Sequence, residues 1–112
     1  MTAEPADGFE AVARLSELPD GTLLAVQRKS GERLCLFNLR GEIGAVSDNC
    51  THQDFPLSEG ILLPDGTLEC VWHGARFDCA TGAVRKQPAT EPLPVYAVMV
   101  RDGQIYVGGR KR

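Results

Sequence analysis

Two short pairs of donor residues, Cys50-Thr51-His52 and Cys70-Val71-Trp72-His73, stand 17 residues apart in this chain. They take in both histidines and two of the four cysteines of a 112-residue sequence. Donors so placed can serve one metal centre only if two loops, distant along the chain, are brought face to face. Any framework the sequence builds must therefore deliver residues 50 and 70 to the same end of the molecule.

Each pair offers one thiolate and one imidazole, the mixture used by a Rieske-type [2Fe–2S] centre, in which two His replace two Cys on one iron. A short Cys-x-His or Cys-x-x-His segment reaches two adjacent metals more easily than one. Two facing loops satisfy this when each gives its Cys to one iron and its His to the other. Cys50, His52, Cys70 and His73 are thus the candidate metal and cofactor ligands. Two ferric ions, two sulfides and two thiolates sum to zero charge, whereas an all-cysteine cluster sits at −2. Adding an electron to the neutral site costs less, so the potential rises from roughly −400 mV to roughly −150 mV or above. Zinc also accepts two Cys and two His. Zinc fingers, however, place both cysteines in the first pair and both histidines in the second, and here each pair is mixed. Metal analysis or visible colour separates the two readings.

Size and charge narrow the field. A chain of this length allows one small domain with one modest core. Hydrophobic residues make up 43% of it, enough for a globular fold. Twelve basic against fifteen acidic residues give a net charge of −3, which argues against nucleic acid as a partner. No run approaches the roughly 20 apolar residues of a membrane span. The start, MTAEPADGFE, has neither an apolar signal region nor twin arginines, so a cytoplasmic location is expected. Four cysteines could form two disulfides in three connectivities. A reducing cytoplasm argues against that, and a disulfide scaffold gives no reason for a His two or three residues after a Cys.

Turn residues punctuate the chain at short intervals. Strands are expected at Phe9–Arg14, Thr22–Arg28, Arg33–Leu39 and Glu42–Val46, with hairpin connections at 29–32 and at Arg40-Gly41. Residues 16–21 read as a tight or short helical turn. Val95–Arg101 and Gln104–Val107 flank Asp102-Gly103, a further hairpin. Many short strands argue for an all-β sandwich or barrel. Residues 48–86 hold every candidate ligand among many turn formers, with a small hairpin of Ile61–Leu63 and Thr67–Cys70 between the two ligand loops. They are expected to form a cluster-binding subdomain inserted into one β domain spanning residues 1–112. The segment from Gln87 to Pro94 is a stiff three-proline connector.

The run Cys50-Thr-His52…Cys70-Val-Trp-His73-Gly74, with Phe77-Asp78, Thr81-Gly82, Pro56-Leu-Ser58, Gly60 and the later proline run, closely resembles the Rieske ferredoxins of bacterial ring-hydroxylating dioxygenase systems. The resemblance covers nearly the whole chain. It implies a Rieske fold of three stacked antiparallel sheets, with Cys50 and Cys70 on an inner iron and His52 and His73 on an outer one near the surface. The high-potential Rieske proteins of respiratory complexes add a cysteine to each ligand loop, where this chain has Phe55 and Trp72. They also place hydroxyl residues where this chain has Ala75 and Phe77. Fewer hydrogen bonds to the sulfurs imply a low potential.

Other residues have plainer expected roles. Cys35 and Cys79 read as packing residues, and Phe55 and Trp72 as covers over the cluster. Gly74 reads as a close backbone approach, and Pro88 as part of a loop over the cluster. Asp48, Asp54 and Glu59 read as solvated loop charges, and Arg110-Lys111-Arg112 as a solvated tail. No histidine remains for the two-His, one-carboxylate site of a terminal oxygenase, and Gly108-Gly109 is no phosphate loop. The expected function is therefore a monomeric one-electron carrier rather than an enzyme. It would run from a flavoprotein NAD(P)H reductase to a terminal ring-hydroxylating oxygenase, without membrane or nucleic-acid partners. The alternatives are a small Rieske subunit fixed in an enzyme complex, as in assimilatory nitrite reductase, and a zinc-stabilised interaction module.

Overall fold

The run Arg33–Leu39 has five consecutive buried residues, Leu34 to Asn38, so this strand is covered on both faces. Alternation along a strand sends successive side chains to opposite sides. Leu34 and Leu36 accordingly enter one hydrophobic core, and Cys35 and Phe37 enter another. The computed structural model describes residues 8–49, 56–70, 74–86 and 92–111. In chain order its strands are β1 (Glu10–Arg14), β2 (Leu23–Gln27), β3 (Arg33–Leu39), β4 (Glu42–Ser47), β5 (Ile61–Leu62), β6 (Thr67–Glu69), β7 (Arg76–Asp78), β8 (Val84–Lys86), β9 (Val95–Arg101) and β10 (Gln104–Arg110). Short 3-10 turns occupy Leu15–Glu17 and Leu57–Glu59.

Two antiparallel sheets result, one ordered β1-β10-β9-β4-β3-β2 and the other β5-β6-β7-β8. The resemblance implied three sheets. The difference lies at β4 and β9, where the pairs Ala45↔Tyr96 and Val46↔Val95 carry hydrogen bonding from one half of the larger sheet into the other. If that sheet were flat, its edges β1 and β2 would lie about 24 Å apart. Instead Val12 and Ala13 of β1 pack in the same core as Leu24 and Val26 of β2. The sheet is folded over on itself, and with the smaller sheet it makes three layers. Arg28 closes the seam, donating to the Gly108 carbonyl at 2.8 Å and pairing with Glu10 at 3.5 Å.

Both two-residue hairpins form where expected. Arg40 and Gly41 have φ of 53° and 92°, and Asp102 and Gly103 have 51° and 74°, the left-handed pairs a type I′ turn requires. β10 runs three residues beyond the expected Val107 and carries Gly108-Gly109 inside the strand. A Cβ on Gly108 would press on the Phe9 ring, 2.8 Å from its Cζ. Arg110 and Lys111 are exposed, as expected of the tail, yet the Lys111 amide donates to the Val95 carbonyl. β7 and β8 were not anticipated. Each is three residues long, too short to show a period, and among the described residues β8 pairs with β7.

The second core lies between the β3-β4-β9 wall and the smaller sheet. It holds Cys35, Phe37, Val46, Leu57, Leu68, Cys70, Ala75, Phe77, Cys79, Leu93 and Val95. Everything in the smaller sheet comes from the chain between β4 and β9.

Candidate metal centre

The first candidate loop leaves the framework at the end of β4 and returns beside its point of departure. Asn49 and Pro56 form an isolated antiparallel bridge, and the Leu57 amide donates to the Asp48 carbonyl at 3.0 Å. The second loop joins β6 to β7. Glu69 pairs with Arg76 in register, and the Cys70 amide donates to the Ala75 carbonyl at 2.8 Å. Both loops therefore have closed stems.

Packing sets these stems side by side. Leu57, at the foot of the first, is fully buried in the same core as Cys70 and Ala75 of the second. A Cβ on Gly60 would overlap the Glu69 carbonyl oxygen, so the chain leaving the first loop runs directly against the residue before Cys70. The three-proline connector starts nearby, since Lys86, the last residue of β8, pairs with Arg76. Its far end is tied to the first stem by the Ser47 amide, which donates to the Pro94 carbonyl at 3.1 Å.

Of the four candidate ligands, Cys70 is described and is fully buried. Cys50, His52 and His73 lie outside the described residues, as do Asp54, Phe55, Trp72 and Pro88. Two stems held in contact, leading to two Cys/His loops, fit the donor set of a [2Fe–2S] centre with mixed ligation.

The two remaining cysteines behave as packing residues. Cys35 and Cys79 are free thiols, 0% and 2% exposed. Burial pushes the Cys35 thiol up, with the nearby Asp48 charge adding to the effect. Burial, helped by the Asp78 and Asp65 charges, pushes Cys79 up to about 12. Both remain protonated at neutral pH, unlike a metal-bound thiolate.

Gly74 has φ of +72°, and the nearest atom to a Cβ there is Glu69 Oε2 at 3.7 Å, an ordinary contact. The left-handed backbone there is one that glycine adopts without strain. Asp48 also differs from expectation. It is 4% exposed rather than solvated, and its carboxylate accepts from the Ser58 amide at 2.7 Å and the Ser58 hydroxyl at 3.0 Å. Glu59 is exposed as expected. The Asp48–Ser58 contact spans ten residues and has no local sequence pattern; the only hint was a charge placed two residues before a candidate ligand.

Residues 8–97 match the Rieske [2Fe–2S] domain. The chain belongs to the Rieske family. Its cofactor is accordingly a Rieske-type [2Fe–2S] cluster, and the zinc alternative falls. This Rieske chain is 42% identical over 96 residues to the 3-phenylpropionate/cinnamic acid dioxygenase ferredoxin subunit of Photorhabdus laumondii, covering 86% of the chain and 90% of that relative. It superposes with a TM-score of 0.86 and 34% identity on a chain from the complex of reduced oxygenase and oxidised ferredoxin in carbazole 1,9a-dioxygenase, covering 96% of this chain and 98% of that one. A Mycobacterium tuberculosis protein described as an NADH-dependent nitrite reductase small subunit shares the fold, with a TM-score of 0.79 at 22% identity over 93% of this chain and 95% of that one. Among the described residues no helix is long and apolar enough to cross a membrane.

Proposed function

We propose that this Rieske protein is the one-electron carrier of a multicomponent oxygenase. It takes electrons from a flavin-containing NAD(P)H reductase and passes them to a terminal ring-hydroxylating oxygenase. The observation that carries this is the 42% identity to a dioxygenase ferredoxin subunit over 90% of that subunit's length. The likeness to the nitrite reductase subunit, at 22% identity, extends to fold alone.

Residues 48–86 form the cluster-binding unit in this proposal, with Cys50, His52, Cys70 and His73 as ligands. When bound, the cluster supplies a site that stores and releases one electron at a potential raised by its two neutral imidazoles. The protein's own residues fix that site in place. Cys70 is fully buried in the core that holds Leu57, Leu68 and Phe77, whose packing excludes water. Ala75 and Phe77 are fully buried and carry no hydroxyl to donate toward sulfur, which keeps the potential low for a Rieske centre. Both histidines of the sequence are committed to the ligand set, so none remains for a mononuclear oxygen-activating iron.

The test is rapid mixing of the reduced protein with a Rieske oxygenase, together with gel filtration beside the reductase. A carrier elutes free, accepts one electron per chain and restores oxygenase turnover. Stable co-elution, with no transfer from the free protein, contradicts the proposal and favours a fixed subunit.

A further inference from the structure

Among the described residues Asp48 is the buried charge nearest in sequence to the proposed ligands, and the structure gives it a specific partner. Its carboxylate takes both donors of Ser58, while its main chain bonds to Leu57 on one side and to Arg33 on the other. With the Asn49↔Pro56 bridge these contacts close the stem of the loop that carries Cys50 and His52. Two virtual bonds separate Asp48 from Cys50, so their Cα atoms are at most about 7.6 Å apart.

Among the described residues no Lys or Arg forms an ion pair with Asp48. Burying a carboxylate without a counter-cation is costly. An asparagine could accept from the Ser58 amide and donate to the Ser58 oxygen, closing the same stem at no such cost. Loop closure alone therefore does not explain the charge. Asp48 is 4% exposed and directly follows β4, whose Val46 packs in the second core with the buried Cys70. A fixed negative charge at short range in a low-dielectric interior opposes the arrival of an electron.

We propose that Asp48 and Ser58 form a positioning latch: Ser58 locks the stem of the Cys50–His52 loop, and the Asp48 carboxylate holds the reduction potential down. This rests on the ligand set proposed above. Neither residue is itself a ligand.

The experiment uses the iron-loaded protein and its Asp48→Asn, Glu59→Gln, Ser58→Ala and Ser58→Thr variants. Midpoint potentials are read by redox titration, and iron release by transfer to a chelator. Asp48→Asn should favour reduction about tenfold, which for a one-electron couple is about 59 mV, with an unchanged paramagnetic resonance spectrum. Glu59→Gln removes an exposed charge screened by solvent and should leave the potential where it is. Ser58→Ala should release iron several-fold faster, and Ser58→Thr, which keeps the hydroxyl, should restore the wild-type rate. An unchanged potential in Asp48→Asn, or an equal shift in Glu59→Gln, overturns the electrostatic role. If Asp48→Asn does not load iron, the Ser58 pair decides, and equal release from Ser58→Ala and wild type overturns the latch. His52→Ala is measured in parallel. If it keeps the Rieske spectrum, the ligand set is wrong; if it loses the spectrum while the latch variants behave as wild type, only the latch fails.

Discussion

β3 buries five residues in a row and feeds two cores, whereas no strand of the smaller sheet is longer than three residues. The larger sheet is held by long ladders and by alternating apolar faces. The smaller one is held by its turns. Asp65 Oδ1 accepts from the Thr67 amide and hydroxyl at 3.1 and 2.6 Å, and Asp78 Oδ1 accepts from the Ala80 and Thr81 amides at 2.9 and 3.0 Å. Gly66, Gly74 and Gly82 adopt left-handed φ values of 88°, 72° and 75°. With so few ladder bonds, the smaller sheet draws its order from Leu57, Leu68 and Phe77 packed against the framework. Under the proposed ligand set the lesson is a division of labour, in which one sheet supplies stability and the other supplies a site.

Removing the iron should break the comparison most visibly. Metal binding that organises its own loops contributes folding free energy. In the apoprotein, amides of β5–β8 should exchange rapidly while those of β3, β4, β9 and β10 stay protected. His52→Ala or His73→Ala should act likewise and abolish the Rieske spectrum entirely. Loss of protection throughout the chain would show instead that the two sheets are one cooperative unit.

Core truncation comes next. Phe77→Ala should cost about 3–5 kcal/mol and Leu34→Ala about 2–5 kcal/mol, read from denaturant melts. Their side chains are both fully buried, but in different cores. Only Phe77→Ala should also speed iron release while the protein remains folded. Equal release from the two variants would remove the distinction between the sheets.

A smaller contrast lies in two glycines. Gly82 has φ of +75°, and a Cβ there would overlap the Leu93 carbonyl and sit 3.0 Å from Val95 Cγ2. Gly41, at φ +92°, has nothing within 4 Å of a Cβ. Gly82→Ala should destabilise by roughly 2 kcal/mol or more, and Gly41→Ala by about 1 kcal/mol, in thermal melts.

The smallest effect concerns acid. The hydrogen bond from the Thr67 hydroxyl is the main cause that holds the exposed Asp65 below its ordinary value of 3.8. A lowered folded value means that Asp65 contributes stability above its unfolded pKa and loses it as pH falls through the folded one. An NMR titration should place the Asp65 midpoint below 3.8, and Thr67→Val should return it toward that value. An unshifted midpoint in the wild type would contradict the turn as drawn.

Much of the framework could be read from the sequence because its signals are local. Leu34–Phe37 is a continuous apolar run within a segment of strand length, and Arg40-Gly41 and Asp102-Gly103 announce their own turns. The Cys/His pairs stand out as candidates through residue type and spacing, which metal chemistry restricts tightly, and of these four residues the structure describes Cys70 alone. β7 and β8 escaped because three residues carry almost no period, and their pairing is supplied by neighbouring strands. The joining of β4 to β9 escaped because two residue pairs decide it. Asp48 was misjudged for a similar reason: its burial depends on Ser58, and no local pattern shows a charge being covered from ten residues away.

The central claim is a pair of irons held unequally by Cys50, His52, Cys70 and His73. Electron paramagnetic resonance of the reduced protein, made with histidine labelled by nitrogen-15, tests it most directly. The account predicts an average g below that of all-cysteine clusters, with two nitrogen couplings that vanish in His52→Ala and His73→Ala. A spectrum of the all-cysteine kind, or one without histidine coupling, would contradict it.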